Sequence, residues 1–118
     1  MTDMDDRTLL ERAARAAGMT GWTYHDEDGG AMRSPPKESR YLRVYSYWSP
    51  LHDDGDALRL AMKLQINLLF QVNGIEARTY QGQFFIAREP VMYADAQAVQ
   101  VATRRAIVRA AAQMGGEG

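Results

Sequence analysis

Asn73-Gly74 stands between two alternating runs in "QINLLFQVNGIEARTYQG". No other stretch restricts the fold as much. Asn-Gly suits a two-residue type I′ turn, because both central residues of that turn need positive φ. The expected register follows: Val72 faces Ile75, Phe70 faces Ala77 and Leu68 faces Thr79. Ile66, Leu68, Phe70 and Val72 then form an apolar face, and Gln65, Asn67, Leu69 and Gln71 a mostly polar one. A hairpin of this kind has one dry side and one wetter side. A Gln81-Gly82 corner leads into a third strand, "QFFIARE", which Pro90 ends.

Helical spacing frames this meander. Leu9, Leu10, Ala13, Ala14 and Ala17 give an apolar stripe, with Thr2 or Asp3 as the expected cap, Asp5 and Asp6 in the first turn and Gly18 as the stop. Residues 54–64 form a short amphipathic helix with Ala57, Leu58, Ala61, Met62 and Leu64 on its buried side. Residues 95–114 form a longer one, capped by Asp95 and stopped by Gly115-Gly116. Its stripe is Val99, Ala102, Ala106 and Ala110, broadened by Val101 and Val108. Short strands are expected at 22–24 and 31–33 around the Asp28-Gly29-Gly30 turn, then an exposed loop at 34–40 around Ser34-Pro35-Pro36. Residues 40–48, "RYLRVYSYW", are aromatic and β-branched and read as one strand. Leu42, Val44, Ser46 and Trp48 share one of its faces, and Tyr41, Arg43, Tyr45 and Tyr47 the other.

The order predicts an α+β protein: a largely antiparallel sheet of about four strands with helices packed on it. At 118 residues the chain reads as a single domain, 1–118, with a disordered tail at 115–118. The formal net charge of −1 supplies no general attraction to nucleic acid or anionic lipid. There is no cysteine, which excludes disulfides, thiolate catalysis and cysteine zinc sites. "MTDMDDRTLL" is acidic where a signal peptide is basic, and no apolar run approaches the ~18 residues of a membrane span. The expectation is a cytoplasmic protein without a membrane contact.

"WSPLHDDGDALRLAMKL", "ATRRAIVRAAA" and the leading "LLERAARAAGMTG" together resemble the phage ABA sandwich domain family. The likeness covers most of the chain. It implies an α/β/α sandwich, with helices on both faces of the sheet, and a phage or prophage gene. The protein would then work in the cytoplasm of the bacterial host. It implies no particular activity.

Three constellations bear on chemistry. His52, Asp53, Asp54 and Asp56 crowd the start of the second helix. They read as a cap, with Asp53 or Asp54 accepting from free backbone N–H groups. The alternative is a divalent metal site for phosphoester hydrolysis, to which His25 would be added from the first turn. Tyr45, Tyr47 and Trp48, with Arg43 interleaved, read as core or as a stacking platform for a nucleotide. Arg104 and Arg105, with Arg109, read as a solvated face or as a phosphate patch. No P-loop, Gly-x-Gly-x-x-Gly, His-Glu-x-x-His or Gly-x-Ser-x-Gly accompanies them, so no cofactor and no catalytic residue is assigned. The favoured function is a non-enzymatic phage accessory protein that binds a protein or a small nucleotide, with pairing of two copies left open. The alternative is a metal-dependent phosphohydrolase using residues 52–56.

Overall fold

The computed structural model describes residues 4–38 and 43–116. Its larger sheet is an antiparallel meander of β6 (Asn67–Gln71), β7 (Gly74–Tyr80) and β8 (Phe84–Pro90), once the earlier strands β1 to β5 below are counted. The hairpin forms, but its turn is Val72-Asn73 rather than Asn73-Gly74. Gln71 lies opposite Gly74, Phe70 opposite Ile75 and Leu68 opposite Ala77. Neither Val72 nor Asn73 has positive φ, and Gly74 does not either, so the turn is not type I′. The reason lies in the third strand. Arg88 lays its guanidinium over Gly74, where a Cβ would come within 2.7 Å of it. Its Nε donates to Gln71 Oε1 at 3.0 Å and its Nη2 to Asn73 Oδ1 at 2.7 Å. Asn73 thus spends its side chain on Arg88, and Gly74 provides space rather than an unusual φ. The partner strand is displaced by two positions from the expected pairing, so the faces keep their identity.

The inner face of the meander carries Leu68, Ile75, Ala77, Thr79 and Ala87, and α3 (Ala96–Met114) lies on it. On its remaining sides α3 meets α1 (Asp6–Ala16) and α2 (Asp54–Leu64). That position explains why α3 buries Ala106, Ile107, Val108, Ala110, Ala111 and Ala112 almost in succession, well beyond one stripe. Alanine along this helix lets three elements approach it closely. Asp95 caps it as expected, accepting from Gln97 N and Ala98 N.

α1 begins later than expected: Asp5 is the cap, with Oδ1 accepting from Thr8 N at 2.8 Å. α2 ends on Gln65 in the left-handed region, φ 54° and ψ 46°. Its last carbonyl, Leu64 O, accepts from Thr79 Oγ1 and Gln81 Nε2, both at 3.1 Å, which ties the helix end to the meander. Residues 115 and 116 are not the expected tail, because Gly115 is buried against α1 and Arg15 Nη1 donates to its carbonyl at 2.9 Å; residues 117–118 lie outside the described residues.

A second sheet joins β1 (Thr23–His25), β2 (Ala31–Arg33) and β5 (Tyr47–Trp48). Tyr24, Met32 and Trp48 align on its inner face, and Thr23, Arg33 and Tyr47 on its outer face. Of the strand expected at 40–48, residues 40–42 lie outside the described residues and 43–48 are divided, while the loop expected at 34–40 contains β3 (Lys37–Glu38). β4 (Arg43–Val44) pairs with β3 (Lys37–Glu38), and β5 pairs with β2. Ser34 N donates to Ser46 O at 2.9 Å and Ser46 N to Ser34 Oγ at 2.8 Å. Between that link and the Lys37–Val44 pair the first strand holds one residue more than the second. Pro35 and Pro36 fall there, where no backbone donor is available, and they bend the pairing as a bulge does.

The architecture is α+β with antiparallel strands, as expected, divided into two three-stranded sheets and a two-stranded ladder. The helices lie against one face of the meander. Its other face is open among the described residues.

Candidate functional site

The acidic run before α2 resolves into separate partnerships. Asp53 is the cap: its Oδ2 accepts from Asp56 N at 2.7 Å. Asp54 Oδ1 takes Arg104 Nη1 at 2.6 Å. Asp56 accepts from Ser49 N at 2.9 Å and from Arg59 Nη2 at 2.6 Å. His52 Nδ1 lies 2.8 Å from Ser49 Oγ. His25 has its own partners, Thr23 Oγ1 and Glu27 Oε1, each at 2.9 Å. Among the described residues no three His, Asp or Glu side chains converge where an ion could sit. The metal set His52, Asp53, Asp54 and Asp56 therefore does not assemble, because each carboxylate serves a different backbone or arginine.

The arginines of α3 are clamps. Arg104 donates to Leu51 O at 2.9 Å as well as to Asp54, tying α3 to the α2 entry. Arg105 reaches Asp6 at 3.3 Å and Glu89 at 3.5 Å. Arg109 bonds Glu89 and donates to Arg88 O at 2.9 Å. Glu89 projects from the inner face of β8, so α3 is fastened to the sheet by charge as well as by packing. All three guanidiniums have acidic partners within the chain, which disfavours Arg104 and Arg105 as a phosphate patch.

The aromatic strand divides by face. Trp48 is core, whereas Tyr45 and Tyr47 are exposed. Arg43 belongs to β4, and its side chain lies outside the described residues. The cation beside the tyrosines is Arg33, which the sequence reading did not single out. Its guanidinium lies 5.7 Å from the Tyr45 ring centroid. Asp28 grips it through Nε at 2.6 Å and Nη2 at 3.1 Å. That hydrogen bond raises the Arg33 pKa and holds Asp28 below the ordinary carboxylate value. Tyr24 on the inner side is shifted upward, first by burial and then by Asp26.

The open face of the meander is the surface that sequence reasoning missed. Tyr80 and Phe84 oppose each other across β7 and β8, edge to face, with ring centroids 4.9 Å apart. They are 63% and 70% exposed, and Ile86 beside them is 48% exposed. On β6 the same face carries Leu69, which lies opposite Glu76 rather than beside the rings. Two arginines lie around the patch: Arg78 Nε donates to Glu76 Oε2 at 2.7 Å, and Arg88 is hydrogen-bonded to the neutral amides of Gln71 and Asn73.

No family model, curated protein or solved structure matches this chain.

The site therefore stands on geometry. Exposed rings at 80 and 84 and an aliphatic neighbour at 86 make a surface for apolar contact. The signal was present in the alternation Arg78, Tyr80 and Phe84, Ile86 about the Gln81-Gly82 corner. It was obscured because strand alternation alone does not say which face a helix will take.

Proposed function

We propose that this protein is a non-enzymatic accessory module of phage or prophage origin, acting in the cytoplasm of a bacterial host. It binds a protein through the open face of β7 and β8. One observation carries the reading: Tyr80, Phe84 and Ile86 form an exposed apolar cluster on a sheet face that no described helix covers. Aromatic residues at the centre of a patch supply most of the energy of protein interfaces, and their low rotamer entropy makes them efficient contacts. No described helix is long and apolar enough to cross a membrane. The origin rests on the resemblance of the 48–64 and 102–112 segments to the phage family.

A small nucleotide is the second reading, favoured by Tyr47 and Tyr45 flanking Arg33. It is the weaker one, because Arg33 is already committed to Asp28.

The test introduces a photo-crosslinking residue at Phe84, and separately at exposed Arg7 on α1, in a bacterial host. A discrete adduct from position 84 that is absent from position 7 and lost with Tyr80→Lys supports the protein reading. No adduct at 84, with a melting transition raised by a nucleotide panel, transfers the function to the Tyr47 surface.

A further inference from the structure

The two edges of the meander are treated differently. The backbone groups of Ile86 face outward from β8, and α3 meets them. Ile86 N donates to Gln113 Oε1 at 3.2 Å, and Gln113 Nε2 donates to Ile86 O at 2.6 Å. Arg109 adds a bond to Arg88 O. That edge also carries Arg88, Glu89 and Pro90, the residue types that deter strand addition.

β6 has none of these devices. Residues 66–72 read Ile-Asn-Leu-Leu-Phe-Gln-Val, without a charge or a proline. Val91 N donates to Asn73 O, which turns the polar groups of Gly74 toward Gln71. Alternation then directs Asn67, Leu69 and Gln71 to β7, and leaves the N–H and C=O of Leu68 and Phe70 on the free edge. Among the described residues no side chain meets them. Large apolar side chains gather beside this edge: Phe70 is 60% and Val72 96% exposed, and Leu58 and Met62 project uncovered from α2. Leu58, Met62, Ile66 and Leu68 line an open groove between α2 and β6.

We infer that β6 pairs antiparallel with β6 of a second copy of this chain, about a twofold axis at Leu69. The strand is self-complementary in this register. Phe70 falls opposite the partner's Leu68, Gln71 opposite the partner's Asn67, and Val72 opposite the partner's Ile66. The free groups of Leu68 and Phe70 become hydrogen-bonded pairs. Phe70 and Val72, exposed in the single chain, are brought to the mouth of the groove between the other copy's α2 and β6. The two meanders become one six-stranded sheet. This inference is independent of the partner-binding reading, since the edge and the open face are different surfaces.

The test uses the full chain, whose lack of cysteine leaves a clean background. Sedimentation equilibrium should give twice the 13.3 kDa chain mass at tens of micromolar, falling toward the chain mass on dilution. Leu69→Cys places two thiols across a non-hydrogen-bonded pair, with Cα atoms about 4.5 Å apart, within disulfide range. Mild oxidation should convert most of it to a covalent dimer, and should leave Gln100→Cys on α3 largely unlinked. Phe70→Pro removes an outward N–H without touching the β7 ladder, and should shift the chain to monomer with its circular dichroism unchanged. A native chain that stays at monomer mass throughout overturns the inference. So does a dimer that links through position 100 and not 69.

Discussion

Gly115 shows how much one hydrogen atom in place of a side chain can decide. A Cβ there would lie 1.9 Å from the Arg12 carbonyl oxygen and 2.8 Å from Ala16 N, both backbone atoms of α1. Neither can rotate away. Gly115→Ala should therefore push α1 and α3 apart and cost about 1–3 kcal/mol, the range for overpacking a fitted contact. Gly116→Ala meets the Arg12 guanidinium first, at 3.2 Å, and that group can move. Urea midpoints of the two variants would check this; equal midpoints would mean that the helices do not cross at Gly115. Sequence alone marks Gly115 as a helix stop, and it is one. Nothing in the local pattern says that a second helix, 100 residues earlier in the chain at Arg15, bonds to its carbonyl.

The cap of α2 shows which elements the local sequence could specify. Asp53 precedes an amphipathic run, and its carboxylate accepts from Asp56 N, as the pattern predicts. Asp53→Ala should lower stability by about 1 kcal/mol, read from the thermal midpoint. Asp54 is different, because it holds Arg104 from α3 rather than the helix start. The spans of α2 and α3, the cap at Asp95 and the three strands of the meander were legible for the same reason: their causes are a few residues apart. The hairpin register was not, since Arg88, seventeen residues from Gln71, decides how Asn73 is used. The break in the 40–48 strand likewise comes from Pro35 and Pro36 on the opposite strand. Among candidate site residues, the cap was legible and the arginine roles were not, because their carboxylate partners arrive from other elements. The apolar face at Tyr80 and Phe84 was hidden until the helices had chosen the other side.

Across the whole molecule, α3 is joined to the sheet by alanine packing and by Glu89, which takes both Arg105 and Arg109. Glu89→Gln keeps the shape and removes the charge, leaving two half-buried guanidiniums without that partner. The expected loss is about 1.5–3 kcal/mol, as for hydrogen bonds to charged groups. Added sulfate should restore more stability to this variant than to the native chain, and an equal response in both would show that Glu89 does not neutralise the pair. Gln113 performs a quieter task at the far edge. Its carboxamide gives Ile86 one acceptor and one donor, as the backbone of a neighbouring strand would. A sheet open on both sides can accept copies without end and grow into a fibre. With one side already occupied by that amide, addition through strand edges has a single direction and a last step.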